Sequence, residues 1–213
     1  ISIGDRTYPD GRGRFADRNV WAPHVIAHAG TYFMFYTAVN RHFSQSIALA
    51  LSNDLFTWVE WAGNPVLTLE GVEWADWARD RAADCRDPMV LRDGKRFLLY
   101  FSATAREPRG GDRGVVAVAV SDDLFHWRRP KIAVRGPVGI ESAQVWKADG
   151  GTYRMLTSTH GAGSYSSRDP ESGWVPASFP RPDPRSVEPR LSSSQGYAEE
   201  IVPLQDGGHL EAA

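Results

Sequence analysis

The sequence predicts an all-β protein, a small-bladed β-propeller of which about three and a half blades are recognisable. Three observations carry this prediction. A hairpin pattern recurs along the whole chain, a polar heptapeptide recurs at matching places, and helical periodicity is almost absent.

The first hairpin leads from Pro23-His24-Val25 through Gly30 into the aromatic run Tyr32 to Thr37. The second leads from Pro88-Met89-Val90 through Gly94 into Phe97 to Ser102, and the third from Ala143-Gln144-Val145 through Gly151 into Tyr153 to Ser158. A fourth begins at Glu199-Glu200-Ile201-Val202 and passes Gly207-Gly208. Each couples a short apolar strand, a glycine turn and a strand rich in aromatic and β-branched residues. The turn glycines Gly30, Gly94, Gly151 and Gly208 are 64, 57 and 57 residues apart, which suits a four-stranded blade with its loops.

The second half of a blade is marked by the pattern S-x-D-L-F-x-W. Ile47 to Leu51 precedes Ser52-Asn53-Asp54-Leu55-Phe56-Thr57-Trp58, and Val115 to Val120 precedes Ser121-Asp122-Asp123-Leu124-Phe125-His126-Trp127. Ser and Asp favour a tight polar turn by bonding nearby backbone groups, while Leu and Trp anchor the outer strand on a neighbouring sheet. A degenerate copy, Ser166 to Pro170 with Trp174, closes the third repeat.

Between the repeats, residues 72–83 read as a short helix or a surface excursion, and the proline-rich stretch 176–194 reads as an irregular loop. Residues 1–213 are expected to form a single propeller domain with repeats starting near 21, 86, 141 and 199. A propeller must close. Either the first twenty residues supply outer strands to the last blade, or the chain is a fragment that lacks a blade at one or both ends.

Composition narrows the function classes. The 24 basic and 26 acidic residues are interspersed, so neither a nucleic-acid nor a membrane partner is expected. Cys85 is the only cysteine, which excludes an intramolecular disulfide and a Cys-based zinc site. No metal ligand cluster, phosphate loop or nucleophilic serine elbow stands out, and no cofactor is expected. Localisation and oligomeric state are not legible. The eight Trp residues suit both core packing and stacking on sugar rings, core packing being the commoner use.

In a propeller the opening strand of each blade lines the central channel. The openers here are Trp21-Ala22-Pro23, Arg86-Asp87-Pro88, Glu141-Ser142-Ala143 and Glu199-Glu200. Asp87 and Glu141 are therefore expected at equivalent places of consecutive blades. Acids gathered in a narrow funnel repel one another and have raised pKa values unless arginine or a ligand compensates. Plainer readings compete: Asp87 as a strand-start residue bonding amides, Glu141 as a solvated loop acid, and Arg86 as a counter-charge for Asp84.

These openers and the S-x-D-L-x-x-W turns resemble the five-bladed propeller glycoside hydrolases of families 43, 32 and 68. Trp21-Ala22-Pro23 is similar to an opener of family 43, and Arg86-Asp87-Pro88 with Ser121 to Trp127 is similar to families 32 and 68. The resemblance implies a five-bladed propeller, a carbohydrate substrate and carboxylate acid/base catalysis on fructosides, arabinosides or xylosides. It implies that Glu141 is the general acid and that Asp87 tunes it and holds a sugar hydroxyl, with Arg86 pairing nearby. For the third acid, the place of a nucleophile in the first opener is held by Ala22; Asp17 and Asp10 are the nearest remaining carboxylates, and Asp17 is the candidate. Trp21, His24, Arg86, His160 and Glu200 are the expected substrate-binding residues. A non-catalytic sugar-binding propeller without the base is the alternative, and a protein-interaction propeller a third reading.

Overall fold

A computed structural model describes residues 6–158 and 163–178, and the backbone of 200–203 and 209–212. Three antiparallel sheets of four strands follow one another along the chain. The first contains β3 (Asn19–His28), β4 (Thr31–Val39), β5 (Gln45–Ser52) and β6 (Val59–Glu60). The second contains β7 (Cys85–Asp93), β8 (Arg96–Arg109), β9 (Asp112–Ser121) and β10 (Arg128–Gly136). The third contains β11 (Glu141–Lys147), β12 (Tyr153–Ser158), β13 (Gly163–Ser167) and β14 (Val175–Pro176). A hairpin of β15 (Glu200–Pro203) and β16 (His209–Ala212) begins a fourth unit, and β1 (Arg6–Thr7) pairs with β2 (Arg14–Ala16) ahead of the first sheet. The all-β propeller with three and a half blades is thus the observed architecture.

Within each sheet the strands are consecutive in sequence, so every blade is an up-and-down meander. In the first two blades the middle strands are mostly apolar and buried on both faces, as in Phe35 to Val39 and Val115 to Ala119, whereas the third strand of the third blade, Gly163–Ser167, is polar and half-buried. A strand can bury both faces only when sheets pack on both sides, which is the arrangement of stacked blades.

The S-x-D turns form as their composition dictates. Ser121 Oγ accepts the amides of Asp123 and Leu124 at 3.1 and 2.9 Å, and Asp123 Oδ1 accepts those of Phe125 and His126 at 2.9 Å. Ser52 and Asp54 reproduce this pattern in the first blade. Ser167 and Asp169 keep part of it in the third. The aromatic residues after the turn then cover the preceding blade: Phe125 meets Phe33 edge to face and lies 4.6 Å from the Trp61 ring, Trp127 meets Phe35, and Trp174 meets Tyr100.

Residues 72–83 are a surface excursion and form no helix. Apart from one turn bond, Ala75 N–H to Val72 O at 3.1 Å, their backbone groups reach neighbouring segments: Asp76 N–H bonds Thr104 O, and Arg106 N–H bonds Trp74 O. Two tryptophans pin the strap, Trp74 Nε1 to Pro130 O and the buried Trp77 Nε1 to Gln45 O. The proline-rich stretch predicted as a loop lies outside the described residues beyond residue 178.

Candidate active site

The three opening strands share one irregularity. Their ladders slip between Trp21 and His24, between Arg86 and Met89, and between Glu141 and Gln144. At the slip Ala22, Asp87 and Ser142 adopt φ of 44°, 55° and 53°, the left-handed region that non-glycine residues avoid. Each such residue costs about 1–2 kcal/mol, and strain of this kind persists where the surroundings over-determine it. Here cross-blade bonds supply the constraint. Asp87 N–H donates to Thr37 Oγ1 of the blade before at 3.0 Å, and Ser142 N–H donates to Asp87 Oδ2 at 3.3 Å.

The register corrects one expectation. Trp21, Arg86 and Glu141 face Thr37, Ser102 and Ser158, so they are equivalent, and Ala22, Asp87 and Ser142 form the next equivalent set. Asp87 and Glu141 are therefore offset by one residue instead of occupying matching positions. The bulge brings both to the same mouth, because it breaks the strict alternation that would otherwise send neighbours to opposite faces.

Arg86 organises the charge. Its guanidinium lies 2.5 Å from Asp84 Oδ1, 3.5 Å from Asp87 Oδ2 and 3.3 Å from Glu141 Oε2. Gln45 Oε1 accepts from it at 3.5 Å, and Thr104 Oγ1 donates to the other Asp84 oxygen at 2.6 Å. Arg86 thus balances Asp84 and also serves the two funnel acids. Burial raises the pKa of Asp87; the Arg86 charge opposes that, the Glu141 charge adds to it, and the Ser142 and Ser102 bonds oppose it. Ser102 Oγ sits 3.4 Å from Asp87 Oδ2.

Ala22, Pro23, His24, Asp87, Pro88, Ser142 and Gln144 line a cleft of about 120 Å³ on the axis side of the three blades. His24 lies deep in the molecule yet keeps part of its surface open; burial pushes its imidazole down to about 4, against a bond with the Val90 backbone, so it is neutral at neutral pH. Gln144 was not singled out from sequence. It ends the same bulge as Ser142 and lines the cleft with it, and its buried Oε1 has no hydrogen-bond partner among the described residues.

Glu141 is delivered by a tight loop. Gly114 of β9 lies so close to this loop that a Cβ there would stand 2.0 Å from Pro137 O, and the loop closes with Ile140 N–H on Pro137 O at 3.1 Å. Ile140 is buried below it.

The remaining candidates fall elsewhere. Trp21 occupies the register place of Arg86 and Glu141 in the first blade. Asp17 accepts the Arg41 amide at 2.7 Å and lines a separate cavity with Arg12, Arg14 and Arg79, so it is not brought to the Asp87 cleft. Glu200 begins β15, and its side chain lies outside the described residues, as does His160 altogether. Among the described residues no group of three or more His, Cys, Asp and Glu is arranged to hold a metal ion.

The family model described as the glycosyl hydrolases family 32 N-terminal domain matches residues 10–146, which include the whole Arg86–Asp87–Glu141 cluster. The chain belongs to that family. No curated protein matches the sequence. Among solved structures, this family 32 chain is similar to a thermostable family-43 glycoside hydrolase, at 18% identity and a TM-score of 0.65 over 91% of this chain and 64% of that one. It is also similar to an α-L-arabinofuranosidase from Clostridium thermocellum, at 17% identity and a TM-score of 0.60 over 87% and 58%. A family 32 β-fructofuranosidase from Bombyx mori follows at 16% identity and a TM-score of 0.50 over 68% and 33%. At these identities the likeness is one of fold. The chain spans about three fifths of the length of the first two structures.

Proposed function

We propose that this family 32 domain carries the acid half of a glycoside hydrolase site, with Glu141 as general acid and Asp87 as the carboxylate that orients it and holds a sugar hydroxyl. The observation that carries this reading is Arg86 joined to both acids from adjacent blades beside one cleft. In the reaction Glu141 gives its proton to the glycosidic oxygen as the bond to the anomeric carbon breaks, and water completes the cleaved sugar. Fructosides, arabinosides and xylosides are the substrate classes proposed, with His24, Gln144 and Ser142 lining the place of the sugar. The base or nucleophile is not assigned to Asp17, which faces another cavity. Residues 1–213 are proposed to belong to one propeller domain.

A second reading is a carbohydrate-binding propeller without turnover. It is favoured by Ala22, which stands at the register place of Asp87 in the first blade and leaves that blade with no carboxylate on the cleft. Turnover of aryl arabinosides, aryl xylosides and fructans by the purified protein tests both. Glu141→Gln is expected to lower turnover by about 10²–10⁴-fold. Undiminished turnover in this variant would overturn the assignment, whereas sugar binding that is lost in Asp87→Asn without any turnover in the parent supports the second reading.

A further inference from the structure

The cavity that holds Asp17 is more built than a surface dent. Its volume is about 420 Å³, and Tyr8, Arg12, Arg14, Asn40, Arg41, His42 and Arg79 contribute its walls. That volume falls within the range of about 300–1,000 Å³ that suits a small ligand such as a sugar unit. Three separate segments meet there: the β1–β2 hairpin, the turn joining β4 to β5, and the strap ahead of the second blade.

One buried side chain locks these segments together. Asn40 Nδ2 donates to Arg14 O at 3.2 Å and to Arg79 O at 2.8 Å, while its Oδ1 accepts the amides of His42 and Ser44 at 2.9 and 3.0 Å. All four bonding positions of the amide are thereby used, so the backbone frame of the cavity is fixed before any ligand arrives. Arg79 is committed to this frame as well: it pairs with Asp10 at 2.8 Å and with Glu70, and its guanidinium lies over the Tyr8 ring at 4.2 Å.

The other charges divide unevenly. Asp17 uses one oxygen on the Arg41 amide, and Asp80 is the second acid of the lining. Arg12 and Arg41 are exposed and make no ion pair among the described residues; the Arg41 guanidinium donates to His42 Nε2 at 3.3 Å through its Nε, and the Arg12 amide, with a smaller part from the Arg12 charge, helps to lower the pKa of Asp10. Two exposed guanidinium forks outside any ion pair of the described residues match the paired oxygens of a carboxylate or sulfate. The wall-forming turn is also tied to the funnel charges: Gln45, the residue after it, accepts from Cys85 N–H at 3.2 Å and from Arg86 at 3.5 Å.

We propose that this cavity is a subsite for an anionic sugar unit, whose carboxylate or ester sulfate is held by Arg12 and Arg41 on the same face as the Asp87 cleft. Its place on a longer saccharide rests on the glycosidase reading; the binding of the anion does not. Calorimetric titration with glucuronic acid, glucose 6-sulfate and glucose at about 50 mM and about 300 mM salt tests it. The acidic sugars should bind and glucose should not, with affinity falling as salt rises. Arg12→Gln with Arg41→Gln should weaken binding by about tenfold or more, a loss of about 1.4 kcal/mol. Both residues are exposed, and an unchanged melting temperature verifies that the fold is intact. The Asp87→Asn, Glu141→Gln double variant should leave acidic-sugar binding within about twofold, since it touches only the cleft. Equal binding of glucose, indifference to the arginine substitutions, or loss of binding in the cleft variant overturns the subsite. Absence of hydrolysis with anion binding intact counts against the glycosidase reading alone.

Discussion

The guanidinium of Arg86 and Oε2 of Glu141 lie 3.3 Å apart across the boundary between two blades. Because Arg86 also faces Asp84 and Asp87, one cation holds three carboxylates that would otherwise repel. Replacing it by an apolar side chain removes the counter-charge shared by all three, while Asp84 keeps its bond from Thr104 and Asp87 those from Ser102 and Ser142. Arg86→Met is expected to lose about 2–4 kcal/mol of stability at neutral pH, together with most activity. The deficit should shrink in acid, where the carboxylates are protonated. Urea titrations at neutral pH and in the carboxylate range measure both.

Asp87 should show the reverse trade. Its folded pKa is raised, chiefly by burial, so the fold favours the protonated form. The resulting penalty is absent below the ordinary carboxylate pKa, grows as pH rises toward the folded value and is constant above it. Asp87→Asn removes that penalty and keeps an oxygen to accept the Ser142 amide. Thermal melts should show this variant gaining stability at neutral pH, with the gain fading in acid, while activity is lost. A melting temperature unchanged across that range would contradict the assigned shift.

Gly114 couples packing to chemistry. An added methyl would collide with Pro137 O, a backbone atom of the loop that delivers Glu141. Gly114→Ala is expected to cost about 1–3 kcal/mol and to lower kcat more than it raises KM, since it displaces the acid without touching the cleft lining. Steady-state kinetics beside a denaturation curve separate these effects.

Ser121 is wholly buried, and its hydroxyl accepts two amides. Ser121→Ala leaves both without that partner and should cost about 1–2 kcal/mol, with no change in cleft chemistry. Equilibrium unfolding provides the measure, and unaltered sugar binding by the variant is the control.

The parts legible in the sequence are those whose bonds are local. Ser52-Asp54 and Ser121-Asp123 satisfy amides two or three residues away, so their spacing alone reveals the turn. The glycine hairpins are local in the same sense. The site was half legible. The opener triads align as read, but Asp87 and Glu141 match different members of the triad, because equivalence is set by a bulge visible only from strand pairing. Asp17 is four residues from the first opener in sequence, yet the turn after β4 and the strap before β7 close a different cavity around it. Gln144 was hidden inside an apolar strand pattern. The path of the strap itself depends on Trp74 and Trp77 meeting distant carbonyls, which no periodicity encodes.

The aromatic residues beyond the second and third S-x-D turns finish the blade before them. Phe125 and Trp127 belong by chain order to the second sheet, in the turn between β9 and β10, but by packing to Phe33, Phe35 and Trp61 of the first. The unit of cooperativity is therefore staggered against the unit of secondary structure. A chain cut between the first and second sheets would divide one unfolding event in two unequal parts, stripping the first of its cover, whereas a cut after Trp127 would keep that cover in place. Any truncation series or circular permutation of this protein has to be phased to the packing and not to the sheets.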